Sequence, residues 1–115
     1  MFMRIMSDTE ALVSRYPASH KQAAVCNEAA DKLTRLGYRV TRVDVDYRYD
    51  EYGTYSNSIL ANGIALVPQY ESASKNRAAL QAYRDLGFRA VGVDARLIIR
   101  YSGATHCVSM QVPAR

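Results

Sequence analysis

The stretch Leu36-Gly37-Tyr38-Arg39-Val40-Thr41-Arg42-Val43-Asp44 is written a second time, with few changes, as Leu86-Gly87-Phe88-Arg89-Ala90-Val91-Gly92-Val93-Asp94, 50 residues later. In both copies a helical pattern stops at the glycine and an apolar–polar alternation comes after it, so each copy marks a helix handing over to a strand. A period of this length belongs to supersecondary units that bury their faces against one another rather than alone. The chain is therefore expected to be α/β, with two repeated αββ modules of helix, glycine stop, strand, loop and strand. They cover about residues 19–68 and about residues 74–113 of a single domain, 1–115.

Outward from the repeat, Ser19-His20-Lys21-Gln22 reads as a capping box, and Cys26, Ala29, Ala30, Leu33 and Leu36 fall at helical spacing behind it. Cys26 is thus expected to face the core. Upstream, Ser7-Asp8-Thr9-Glu10 has the same form and predicts a short helix ending before Pro17. Val43, Val45, Tyr47 and Tyr49 alternate with Asp44, Asp46, Arg48 and Asp50, which predicts a strand with one wet face. Asn62-Gly63 between Ile59–Ala61 and Ile64–Val67 predicts a hairpin with a type I′ turn, closed by Pro68. Ser74 is the expected cap of a helix carrying Ala78, Ala79, Ala82, Tyr83 and Leu86, and Phe88–Val93 and Leu97–Ile99 read as strand-like.

Composition bounds the function. A chain of 115 residues that is 49% hydrophobic can build one core. No apolar run approaches the roughly 20 residues of a membrane helix, and the Met1–Met6 start is too short for a signal peptide. A cytoplasmic location is the expectation, without a membrane. Cys26 and Cys107 make neither a zinc spacing nor a disulfide framework and are read as free thiols, with no metal and no cofactor. The net charge of +4 is spread along the chain rather than gathered in a patch, which argues against nucleic-acid binding.

The chemistry-bearing stretch is Gly103-Ala104-Thr105-His106-Cys107-Val108-Ser109-Met110-Gln111-Val112-Pro113, a turn and then strand-like alternation. A thiol there is either core filler or a nucleophile presented at a strand end, and residue type alone leaves both readings open. Asp44, Asp46, Asp50 and Glu51 are equally double: the wet face of a strand, or a clamp for a cation. Tyr47, Tyr49, Tyr52 and Tyr55 beside them suit a cation–π site or a protein interface. The 50-residue offset also carries Asn57 onto Cys107 and Asn62 onto Val112. On that register the last strand lacks the hairpin partner of the first module, so a homo-oligomer through this open strand edge is expected, with Met1–Met6 as the alternative cover.

The stretch from Gly103 to Pro113 resembles the C-terminal cysteine motif of the agmatine deiminase and bacterial peptidylarginine deiminase family. Tyr55-Ser56-Asn57, Asn62-Gly63-Ile64-Ala65-Leu66-Val67-Pro68-Gln69-Tyr70 and Val91-Gly92-Val93-Asp94 are similar to that family in the same order. The resemblance implies a fold of two modules out of a propeller of roughly five. It implies Cys107 as the catalytic nucleophile and Asn57, Gly103 and His106 as substrate-binding residues for a guanidino small molecule. It also implies a shortfall, because the family's acid–base His and its guanidinium-binding carboxylates come largely from earlier modules. His106 adjoins the nucleophile in sequence and would point away from it in a strand. His20, at a helix start, reads as a solvated residue. The glycine run before the His-Cys pair is reduced to Ser102-Gly103-Ala104, which restricts the backbone there. The expected function is a deiminase-like partial domain, a binding or assembly module without full activity as an isolated chain. The alternative is a cysteine-dependent deiminase completed by oligomerisation or a partner.

Overall fold

Gly37 and Gly87 both take the left-handed backbone, with φ of +92° and +90°, and each ends a helix of 13 residues: α1 (Ala23–Arg35) and α2 (Ala73–Asp85). The computed structural model describes residues 1–50 and 52–113. After each glycine the chain enters a strand, β3 (Arg39–Asp44) or β6 (Arg89–Asp94). Each of these pairs in parallel with the strand before its helix, β2 (Glu10–Arg15) or β5 (Ile64–Gln69). A short first strand, β1 (Met3–Ile5) or β4 (Ile59–Ala61), adds to each in antiparallel fashion. The chain is α/β, with two three-stranded sheets, β1-β2-β3 and β4-β5-β6, and one helix for each. The hairpin Ile59–Gln69 bonds to β6, so the sheets group the chain as ββαβ twice rather than αββ twice.

Several expectations are corrected. Ser7-x-x-Glu10 is the turn of the β1–β2 hairpin and not a helix start: Met6 N–H donates to Glu10 O at 2.9 Å, and the Ser7 hydroxyl accepts from Thr9 N–H. The same serine that caps a helix closes a turn equally well. The next residues, Ala11-Leu12-Val13-Ser14, are buried on both faces because α1 covers one face of the sheet and the second half of the chain covers the other. α1 starts at Ala23 rather than Ser19, after a turn in which His20 N–H bonds Pro17 O. The cap of α2 is Ser72, whose hydroxyl accepts from Lys75 N–H, and not Ser74.

The alternation through Tyr49 overshoots β3, which ends at Asp44; Tyr47–Tyr49 is a 3₁₀ turn. The chain returns over this point at Gly53, whose carbonyl accepts from Asp46 N–H. A Cβ on Gly53 would stand 2.2 Å from Asp46 O, so only glycine permits the return. Leu97–Ile99 is likewise not a strand, and Ile98–Tyr101 forms a second 3₁₀ turn. The Asn62-Gly63 turn is as expected, with φ of +51° and +74° at the two positions where a type I′ turn needs positive values. β5 continues through Pro68 to Gln69.

The Cys107–Val112 segment is not a strand. Residues 105–108 turn, the rest has no regular structure, and Val108, Met110 and Val112 are 65%, 88% and 82% exposed. The N–H groups of Val108 and Ser109 bond Ala104 O and His106 O, which commits them to a turn rather than a ladder. The open edge expected at this segment is therefore absent.

Side chains alternating along β2 and β3 split between two cores. Ala11, Val13 and Val45 pack with Cys26, Ala30 and Leu33 of α1. Leu12 and Val43 point the other way and join Tyr55, Ala65, Val67, Ala79 and Tyr83 from the second half. α2 is therefore shared: it covers its own sheet and the outer face of the first. Polar contacts fix the joint, with the Lys75 ammonium donating to Val45 O at 2.7 Å and Ser72 N–H to the Asp46 carboxylate at 3.2 Å.

At both helix-stop glycines an added Cβ would have nothing within 4 Å, so alanine there meets backbone strain and no clash. Gly37→Ala and Gly87→Ala are each expected to cost about 1 kcal/mol or slightly more. Thermal unfolding should show a fall of roughly 4 °C for each.

Candidate active site

The linker between the two sheets is polar in sequence yet buried: Thr54, Tyr55, Ser56, Asn57 and Ser58 are all under 4% exposed. Buried backbone and hydroxyl groups need partners, and the fold supplies them. The Thr54 and Ser56 hydroxyls both donate to Met1 O at 2.7 Å, the Tyr70 hydroxyl donates to Thr54 O at 3.0 Å, and the Tyr83 hydroxyl to Tyr55 O at 2.9 Å. Arg4 reaches across from β1 to Ser58 O. Burial pushes the Tyr83 hydroxyl up to about 12 and raises Tyr55 and Tyr70 further, so all three stay neutral donors.

Asn57 is where this linker meets the C-terminal loop. Its Oδ1 accepts from the N–H groups of His106 at 3.0 Å and Cys107 at 3.3 Å, and its Nδ2 donates to Cys107 Sγ at 2.9 Å. Its backbone carbonyl accepts from the Thr105 hydroxyl at 2.6 Å. The amide orientation is set by the partners, since two N–H donors require the oxygen and leave the nitrogen for sulfur. Gly103 lies under the cysteine, where a Cβ would come 3.0 Å from Cys107 Cβ. Ala104, in the place that reduces the glycine run, is fully buried in the second core.

Three of the four expected site residues thus come together. Cys107 is exposed, Asn57 holds it, and Gly103 leaves it room. His106 joins them through its backbone, and among the described residues its imidazole makes no hydrogen bond to the sulfur. Thr105 belongs to the same constellation although sequence reasoning assigned it nothing; its place in the quoted motif was the only signal. Among the described residues no imidazole or carboxylate hydrogen-bonds the thiol.

The carboxylates considered as a cation clamp are engaged by the chain's own cations. Asp44 pairs with Arg15, which holds its carboxyl below the usual range. Asp46 is buried, which alone would raise it, but the two-pronged Arg48 guanidinium at 2.8 and 2.9 Å and Ser72 N–H outweigh burial and hold it low. Asp50 bonds His20 Nε2 at 2.9 Å and the Lys21 ammonium. His20 is half-buried against Tyr16 with its Nδ1 accepting from Gln22 N–H, so the expected solvated residue is a structural one. Asp94 is gripped by Arg96 and held at about 2. Glu51 lies outside the described residues. The four tyrosines do not form one cage either: Tyr55 is core, Tyr49 donates to Glu71, and Tyr47 lies under the Lys75 ammonium at 4.3 Å.

The arrangement leaves an exposed thiol held by an asparagine amide beside a glycine, open to approach from solvent. The chain matches the model of the Porphyromonas-type peptidyl-arginine deiminase over residues 1–113, and it belongs to that family. Among solved structures it is similar to a C. jejuni agmatine deiminase, with a TM-score of 0.79 and 19% identity over 92% of this chain and 34% of that one. A cysteine-to-serine variant of the C. jejuni enzyme with substrate bound gives 0.77 and 19%, over 91% and 34%. A Porphyromonas gingivalis protein described as a candidate arginine deiminase gives 0.78 and 24%, over 97% and 37%. These likenesses show the fold, and the chain spans about a third of each of those proteins. A search of curated proteins found no match. No helix among the described residues is long and apolar enough to cross a membrane.

The geometry makes two outcomes testable. Limited alkylation of the native protein should label Cys107 well before Cys26, whose thiol is fully buried and pushed up by that burial; mass spectrometry showing Cys26 labelled first would contradict the geometry. The contribution of Asp46 is complete above an ordinary carboxyl pKa of about 4 and is lost as pH falls through its lowered folded value. Acid unfolding below that pH should therefore be steeper for the wild type than for Asp46→Asn.

Proposed function

We propose that the chain is the nucleophile-bearing part of a deiminase-type site and serves as a binding or assembly module, without full deiminase activity on its own. In this reading its two ββαβ units are two modules of a propeller of roughly five, in the cytoplasm. The observation that carries it is the Asn57–Cys107 contact standing in a chain whose described residues supply no base or free carboxylate to the thiol. Catalytic groups that act as a unit lose most of their effect when members are missing.

A second reading, favoured by the exposure of Cys107, is a deiminase whose site is completed by another chain. The guanidinium carbon of an agmatine- or arginine-like ligand would then accept the thiolate. Ammonia leaves with a proton from a general acid, giving a thiouronium bonded to Sγ. Water adds to that carbon, the C–S bond breaks, and the ureido product departs with the thiolate restored. Asn57 would hold the sulfur in place, and Gly103 would keep the approach clear. The missing members, an imidazole and a carboxylate fork for the planar guanidinium, would come from the completing chain.

Ammonia release from agmatine and from arginine derivatives separates the readings. The isolated chain should give no more than Cys107→Ser at any concentration. Release that depends on Cys107 and grows more than linearly with protein concentration would overturn the first reading in favour of the second.

A further inference from the structure

The linker that carries Asn57 has no strand or helix to hold its buried carbonyl groups, so they must find side chains. The Tyr70 hydroxyl donates to Thr54 O, the Tyr83 hydroxyl to Tyr55 O, and Arg4 to Ser58 O. Asn57 O is held differently. Its donor is the Thr105 hydroxyl at 2.6 Å, from the C-terminal loop itself, two residues before Cys107.

Thr105 is 5% exposed and stands between Ala104, a core residue, and the exposed His106. An aliphatic side chain would fill the same room, and a buried hydroxyl costs stability unless it is bonded. The bond that Thr105 makes goes to the residue that holds the sulfur.

The loop is thus tied to Asn57 twice. At the main chain the Thr105 hydroxyl meets Asn57 O; at the side chain Oδ1 accepts from the N–H groups of His106 and Cys107, and Nδ2 donates to Cys107 Sγ at 2.9 Å. The first tie sets where the Asn57 backbone stands against the loop, and so where its short side chain can reach. Without the hydroxyl, Asn57 O keeps only the approach of His106 N–H at 3.4 Å, a group already bonded to Oδ1 at 3.0 Å. The amide would then hold the loop by itself. Its contact with sulfur, the weaker acceptor, is the first to lengthen.

An N–H aimed at sulfur favours the thiolate over the thiol, and the thiolate is the attacking form. We propose that Thr105 is a positioning residue for the Cys107 nucleophile: by bonding the Asn57 carbonyl it keeps the Asn57 amide on the sulfur. It acts through Asn57. The proposal rests on the reading of Cys107 as a nucleophile and deepens it, but asks nothing of the substrate.

The pH dependence of Cys107 alkylation by iodoacetamide, followed by mass spectrometry of its peptide, tests this. Asn57→Ala should move the midpoint of the rate profile upward by about one pH unit. Thr105→Val should move it by about half a unit, which makes the reaction at pH 7 about threefold slower. Thr105→Ser restores the hydroxyl and should restore the wild-type midpoint. Two titratable groups beside the sulfur, the Tyr70 hydroxyl and His106, are present in every variant, so a difference between profiles reports on the amide. A merely structural role would change the alkaline plateau and leave the midpoint fixed. Circular dichroism and slow labelling of the buried Cys26 report that each variant is folded, and Thr105→Ala gives the same answer should valine fail to fit. A midpoint moved by Asn57→Ala but by neither Thr105→Val nor Thr105→Ala, or moved as far by Thr105→Ser, overturns the proposal and leaves the nucleophile reading standing. A midpoint that Asn57→Ala leaves in place shows that the amide does not tune the sulfur, and the nucleophile reading falls with the proposal.

Discussion

The side chain of Asn57 is the constraint on which the rest depends. It is nearly fully buried in a polar linker, and its amide satisfies two backbone N–H groups and the cysteine sulfur at once. An unmet buried amide costs about 1–3 kcal/mol for each group, so the linker and the C-terminal loop must come to this point together. The linker is brought there by bonds to Met1 O, Tyr70 and Tyr83, which belong to both halves of the chain. The loop is brought there by Ala104 and Ile99, which are core residues of the second half. The Cys107 sulfur is thus positioned by the junction of the two units and not by either unit alone.

Much of this was legible in the residues, and what was not has physical causes. The repeated phrase located both helix ends and the strands after them, because a left-handed glycine with alternation behind it has few other readings. Asn62-Gly63 located the hairpin for the same reason. Parallel pairing left no local mark: β2 is a short apolar run bonded to a strand about thirty residues away in sequence, and Ser7-x-x-Glu10 before it imitates a helix cap. Alternation misled twice. Val43 to Tyr49 and Cys107 to Val112 both have period two, but the first is stopped by the approach of Gly53 to Asp46, and the second spends its N–H groups on turns. The 50-residue offset relates Asn57 to Cys107 in the sequence, and the fold puts the two side chains in contact.

The charge pattern shows which partners the chain's aspartates take. The aspartates that read as a possible cation clamp, and Asp94 with them, are closed by Arg15, Arg48, Arg96 and the His20–Lys21 pair. These bonds organise loops at the strand ends, and they leave no carboxylate bonded to the thiol among the described residues. Inside the chain, one unit docks on the next through polar contacts at Val45 and Asp46 as well as through the shared apolar core.

Amide hydrogen exchange at His106 and Cys107 tests the central claim most directly. Both groups are near the surface, on exposed residues; Asn57 Oδ1 is the acceptor for Cys107 N–H, while His106 N–H is shared between Oδ1 at 3.0 Å and the Asn57 backbone carbonyl at 3.4 Å. Slow exchange of the two amides in the wild type, lost at Cys107 and weakened at His106 in Asn57→Ala while the amides of β2 and β5 stay protected, is the predicted result. Exchange of both in the wild type as fast as at Met110 would contradict the account.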